Sequence, residues 1–330
     1  MSQWPLAISR VRLSWPALLA GRRTDGRLKP ASTGWRVMSR PRVAIAIVAL
    51  GAAVCAAAAG FDGQRAFEHL RKLVLIGPRP SGSDGIRAAR DYITGQLTQA
   101  GAAVRAQAFE AATPAGPIQM VNLIATIPGD RPERLVIGGH YDTKRFDDLE
   151  FVGANDGGSS AAFLVELARV LKARKNAFTV ELVWLDGEEA VVEWAGTDHT
   201  YGSRHYVEAA QRDGSIKSLE AFILVDMIGD KDLAMRREGN STEWLTKTIW
   251  DAARRLGHTR AFLDSTTFIE DDHMPFLEAG VPAVDLIDLE YPAWHTSGDT
   301  VDKTSAQSLQ IVGSVLVEAL PAIEARLAGR

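Results

Sequence analysis

Five stretches of this chain place acids or imidazoles where an apolar run stops or a helix begins. Leu135 to Gly139 runs into His140-Tyr141-Asp142, and Thr179 to Leu185 stops at Asp186-Gly187-Glu188-Glu189. Ala221 to Val225 stops at Asp226, and Ala283 to Ile287 leads past Tyr291 to Trp294-His295-Thr296. The fifth stretch, Gly153-Ala154-Asn155-Asp156-Gly157, opens onto a helical segment at Ser160. Singly, each has an ordinary explanation: an Asp before a helix is usually a cap, and a loop His is usually solvated. Jointly they are hard to explain as surface. Adjacent carboxylates closing a Val/Leu/Trp strand repel one another and resist desolvation, so a cation is their natural neutraliser. Imidazole plus carboxylate without thiolate suits a catalytic zinc with an open position, whereas calcium or magnesium would use oxygen ligands alone. Of two neighbouring Glu residues, one can bind the metal while the other faces substrate as a general base.

Such residues need a frame. Met120 to Ile127, Leu135 to Gly139, Thr179 to Leu185, Ala221 to Met227 and Ala283 to Ile287 are apolar runs of strand length. Helical spacing appears over Gln64 to Leu75, Ile86 to Ala100, Ser160 to Lys172, Thr242 to Leu256 and Ser305 to Leu327. Strands alternating with helices predict an α/β fold with a mostly parallel sheet covered on both faces. In such a sheet, functional groups gather outside the carboxyl ends of the strands, where the five polar stretches fall. No repeat or long linker interrupts residues 61–330, so a single domain is expected there.

Hydrophobic residues make up 46% and charged residues 24%, the balance of a globular fold with a full core. A net charge of -4 demands no basic face, which excludes nucleic acid as an expected partner. The single cysteine, Cys55, rules out an internal disulfide. Residues 1–37 read as a leader without steady period, and Met38 offers an alternative start. Residues 38–60 combine a basic start, the apolar run Val43 to Ala59 and small residues before Gly60. That is the layout of a secretory signal, with a single membrane anchor as the alternative. The expected location is therefore periplasmic or extracellular, with membrane attachment only if this segment stays uncleaved.

The ordered motifs Gly139-His140-Tyr141-Asp142, Ala154-Asn155-Asp156-Gly157, Asp186-Gly187-Glu188-Glu189, Val225-Asp226-Met227-Ile228-Gly229 and Trp294-His295-Thr296 resemble the zinc aminopeptidase family that also contains the glutaminyl-peptide cyclotransferases. The likeness runs from about Phe61 to Leu320 and implies a mixed, mainly parallel sheet flanked by helices. It also implies one of two chemistries. In aminopeptidases, matches to His140 and Asp226 hold one zinc and matches to Glu189 and His295 another, with Asp156 bridging. In cyclotransferases, matches to Asp156, Glu189 and His295 hold a single zinc. Glu188 would there carry a proton from the α-amine of an N-terminal glutamine to its departing amide nitrogen. Trp194 matches an aromatic lid, Tyr201-Gly202-Ser203-Arg204-His205 continues the signature, and Asp271 matches a residue that pairs with Asp226 in a proton relay. Those segments favour the cyclotransferase and one zinc, with catalytic Glu188, Asp226 and Asp271, and with Trp194, Trp294 and Asp285 framing a pocket for peptide or protein N-termini. Gly157-Gly158-Ser159-Ser160 looks more like the aminopeptidase loop, and Asp285 stands where animal cyclotransferases carry histidine. A two-zinc aminopeptidase is the alternative. A non-catalytic ectodomain is a third reading, disfavoured by so many costly charges held together.

Overall fold

The structure, a computed structural model, describes residues 60–329. The leader and the Val43 to Ala59 segment lie outside the described residues. In chain order the elements are α1 (Gly63–Val74), α2 (Asp84–Gln99), β1 (Ala103–Thr113), β2 (Gly116–Ile127), β3 (Arg131–His140), α3 (Gly158–Ala173), β4 (Phe178–Leu185), α4 (Tyr201–Asp213) and β5 (Leu219–Asp226). After these come β6 (Met235–Glu238), α5 (Glu243–Arg255), β7 (Phe262–Thr267), α6 (Met274–Glu278), β8 (Ala283–Ile287) and α7 (Ala306–Ala328).

Local sequence explains the boundaries. Asp62 caps α1 by accepting from the N–H groups of Gln64 and Arg65, and Ala66, Leu70 and Leu73 bury one face at helical spacing. Ser83 caps α2 in the same way. β1 and β2 form an antiparallel hairpin closed by Pro114 and Ala115. The six-stranded sheet runs in the order β1-β2-β4-β3-β5-β8. β3, β4, β5 and β8 are mutually parallel, and β2 is antiparallel to β4. The sheet is thus mixed and mainly parallel, with helices on both faces. β6 and β7 pair separately.

The two-residue alternation of a strand sorts the core. Leu135, Ile137, Leu182, Trp184, Ile223 and Val225 join α1, α2, α3 and α7 on one face. Val136, Val183, Leu185, Phe222 and Leu224 meet α4 and Phe276 of α6 on the other. The crossover from β3 to β4 passes through α3 on the first face. The next, from β4 to β5, passes through α4 on the second and lands beyond β3. β3 therefore sits where consecutive connections leave in opposite directions, and a crevice opens outside its carboxyl end. β1 had no counterpart among the apolar runs because it is an edge strand. Exposed Arg105, Ala106, Ala108 and Glu110 are interspersed with Val104, Gln107 and Phe109, which are only half-buried, so no continuous run marks it. Among the described residues, no helix is long and apolar enough to cross a membrane.

Candidate active site

β3 delivers His140 at its last position, followed by Tyr141 and Asp142. Asp142 orients the neighbouring strand end, because its two oxygens accept the successive N–H groups of Glu188 and Glu189, each at 3.3 Å. The turn between them needs Gly187, whose φ of +75° is one that side chains rarely adopt. Asp186 is held below by Ser81 Oγ at 2.6 Å and the Val121 N–H at 2.8 Å. Burial and the charge of Asp142 push it up to about 7.

The Asp156 loop is fastened from both sides. Asp299 accepts the N–H groups of Asn155 and Asp156 at 2.8 and 3.1 Å, and the Tyr291 hydroxyl at 2.7 Å. Asn155 Oδ1 accepts the Gly229 N–H at 2.7 Å, stitching the loop to the segment that follows Asp226. Beneath it lies Arg79, fully buried, donating to the carbonyls of Gly77, Tyr141, Val152 and Gly153. At the close of β3, a Cβ on Gly139 would lie 2.6 Å from Ser160 Cβ, so glycine is what lets α3 start beside the strand end.

Two histidine-centred clusters result, and Asp156 belongs to both. On one side His295 Nε2 lies 3.3 Å from Glu189 Oε1 and 3.4 Å from Asp156 Oδ2. On the other His140 Nε2 lies 3.0 Å from Asp226 Oδ1 and 3.2 Å from Asp156 Oδ1, while its Nδ1 lies 3.4 Å from Asp142 Oδ1. Burial opposes a charge on either imidazole, but the surrounding carboxylates win. His295 is pushed up to about 9 by Asp156 and Glu189, and His140 well above its ordinary value by Asp226 and Glu188. Asp156 is held low, as its two imidazole neighbours outweigh the burial that would raise it. Burial and the Asp156 charge push Glu189 up to about 7. His295 also adopts φ +53°, a backbone state costly for a side-chain-bearing residue and often met at functional positions.

Behind these clusters the acids crowd further. Glu188 is raised well above the carboxylate range, first by burial and then by Asp271 and Glu189, against the pull of His140. Asp271 is raised likewise by burial, Asp226 and Asp272. Asp226 accepts from the Met227 N–H at 2.8 Å and from Ser160 Oγ at 3.5 Å and meets His140 Nε2 at 3.0 Å, and its charge helps to raise Asp271.

A cavity of about 460 Å³ opens above this floor. Asp156, Glu188, Glu189, Asp226, Asp271 and His295 line it together with Trp194 and Trp294. The two indoles are 38% and 44% exposed and form its walls, Trp294 stacking on His295 at 4.3 Å. Asp285, placed at the pocket by sequence, lies behind it instead. It sits mid-strand in β8, fully buried, with both carboxyl oxygens lacking a hydrogen-bond partner and His273 Nδ1 at 3.9 Å. Lys144 was not foreseen. Its backbone N–H donates to Glu189 Oε1 at 3.1 Å and its Nζ to the Ala190 carbonyl at 3.0 Å, so it braces Glu189 from the cavity wall. Asp142, Asp299 and Arg79 also escaped functional assignment, because each acts through backbone groups remote in sequence. The only signal for Asp142 was its place two residues past His140.

Asp156 Oδ2 is buried without a hydrogen-bond partner, facing Glu189 Oε1 and His295 Nε2. Two carboxylate oxygens and one imidazole nitrogen converging on one point fit a zinc ion with an open position toward the cavity.

Residues 122–320 match the model of peptidase family M28. The chain is 31% identical over 276 residues to a glutaminyl-peptide cyclotransferase of Drosophila melanogaster, covering 74% of this chain and 78% of the relative. A glutaminyl-peptide cyclotransferase-like protein of Bos taurus is 33% identical over 262 residues, covering 70% and 68%. Among solved structures, a glutaminyl cyclase from an Acidobacteriales bacterium superposes with a TM-score of 0.78 at 39% identity, covering 81% of this chain and 96% of that one.

Proposed function

The chain belongs to peptidase family M28, in its glutaminyl-peptide cyclotransferase branch, and from that premise we propose that it converts the N-terminal glutamine of peptides and proteins to pyroglutamate with release of ammonia. The observation that carries this reading is the meeting of Glu188 with the Asp156, Glu189 and His295 triad at the floor of one cavity walled by two tryptophans.

The reaction is internal to one residue. The α-amine nitrogen bonds to the γ-carboxamide carbon, the bond from that carbon to the amide nitrogen breaks, and the amine proton ends on the leaving ammonia. No water is consumed. Asp156, Glu189 and His295 would hold a single zinc, whose contribution when bound is to polarise the γ-carbonyl as a Lewis acid. Glu188 takes the proton from the α-nitrogen and returns it to the leaving nitrogen; its buried, acid-flanked carboxyl is suited to carry one. Asp271 lies beside it, raised by burial and by the neighbouring Asp226 charge, and shares the proton load of the cluster. Trp194 and Trp294 confine the glutamine side chain, and confinement matters because ring closure depends on holding nucleophile and carbonyl together.

The His140, Asp156 and Asp226 cluster favours one second reading, a two-zinc aminopeptidase. Purified protein offered a glutaminyl peptide and a leucyl amide side by side separates the two. Cyclisation gives ammonia without chain cleavage and one zinc per chain. Free leucine with two zincs per chain would replace this proposal with hydrolysis. An export signal over Val43 to Ala59 would place the enzyme in the periplasm or outside the cell, where peptide N-termini are its substrates.

A further inference from the structure

One wall of the cavity depends on a residue that the proposed chemistry does not use. Asp198 accepts the N–H groups of Val191, Val192 and Glu193 at 3.1, 2.8 and 2.9 Å, which fixes the root of the Trp194 loop. Among the described residues no such bond reaches the indole. It lies instead flat on the His199 ring, with centroids 4.3 Å apart and planes within 8°. His199 is only 5% exposed, whereas the Trp194 that it carries is 38% exposed. Its own position is set by the catalytic strand end, since the N–H of Thr200 donates to the Glu188 carbonyl at 2.8 Å and that of Tyr201 to the Gly187 carbonyl at 2.7 Å. Thr200 takes φ +49° to make this connection. Arg204 donates to the His199 carbonyl at 2.7 Å, closing the turn from the helix side. On its far edge His199 Nε2 lies 3.9 Å from Glu270 Oε1, next to Asp271 on the opposite loop.

We propose that His199 is a positioning residue that holds the Trp194 indole in place as a preformed wall, so that substrate binding does not have to order it. An imidazole face is a rigid platform for an indole, and flat offset stacking fixes tilt as well as distance. Preorganisation of this kind strengthens binding without touching the reacting atoms. The inference rests on the proposed cyclisation only for its kinetic arm.

Two variants separate stacking from other roles. His199→Ala removes the ring, and His199→Phe restores a flat ring without the nitrogens. For a glutaminyl peptide, His199→Ala is expected to raise KM by about three- to tenfold with kcat within about twofold, and His199→Phe to return KM to the parent value. The second readout needs no substrate. Acrylamide quenching, compared with and without Trp194→Phe in each background, isolates this indole among the eight tryptophans. Trp194 should become more quenchable in His199→Ala and revert in His199→Phe. Unchanged quenching in His199→Ala overturns the proposal, as does equal impairment of both variants, which would assign the effect to the nitrogens. A parent protein that does not cyclise glutamine sinks the cyclase reading alone, and the quenching comparison still decides whether His199 holds the wall.

Discussion

The two sides of Asp156 are built from the same residue types and differ in access. His295 and Glu189 stand on the cavity side, and the His295 side chain is 24% exposed. His140 and Asp226 stand on the inner side, where the imidazole is 1% exposed and carboxylates approach both of its nitrogens. The lesson is that ligand chemistry alone does not define a catalytic metal position. An ion on the cavity side can reach a substrate carbonyl. On the inner side, burial opposes a charge on His140 but the carboxylates around it favour the protonated form, so a proton there is an alternative to a second ion.

The strongest way to break this comparison is to remove each imidazole in turn. His295→Asn should weaken zinc binding by at least about a hundredfold and abolish turnover, because a direct ligand is lost. His140→Asn should leave one zinc per chain and retain measurable activity. Zinc analysis of the two dialysed proteins decides it, and loss of metal from both would put an ion on the inner side.

A smaller effect separates base from ligand within the adjacent pair. Glu188→Gln should lower turnover by about a hundred- to ten-thousandfold with zinc still bound. Release of the metal by this substitution would exchange the roles of Glu188 and Glu189.

The mildest test concerns the sealed acids. Burial lifts Asp272 from an ordinary 3.8 to about 7, while Ser203 donates to its Oδ1. With the folded value raised, its contribution to stability is complete below pH 3.8 and is lost as pH rises toward 7. Asp272→Asn keeps an acceptor for Ser203 and removes that loss. The stability of the variant relative to the parent, read as the difference in melting temperature, should therefore rise from pH 5 to about pH 7 and level off by pH 8, by at most about 1.4 kcal/mol per pH unit. A parallel shift at both pH values would mean that Asp272 titrates normally.

Much of this architecture could be read from the chain. The parallel strands show as Val/Leu/Ile runs because both of their faces are buried, and the acids and histidines stand out because they interrupt those runs. α1 and α2 declare themselves by capping residues and apolar spacing. β1 did not, for it is half-solvated. α4 did not either, since its buried Tyr206, Val207 and Ala210 are spaced among polar residues and follow directly on the site loop. Asp285 was misplaced for a related reason. Its strand was correct, but which way a mid-strand carboxyl points depends on register, and here it points at His273 rather than into the cavity.

What the sequence by itself determined was the menu: alternating strands and helices, strand ends rich in carboxylate and imidazole, and a ligand set suited to zinc. Only the tertiary structure decided how that menu is used. Glu189 and His295 are 106 residues apart in the chain and 3.3 Å apart in the fold. Whether a histidine serves as an open ligand or a sealed counter-charge depends on desolvation, and desolvation is set by neighbours such as Asp142, Asp299 and Trp294 that come from distant segments. Spacing along a strand cannot encode that, because burial is a property of what packs on top.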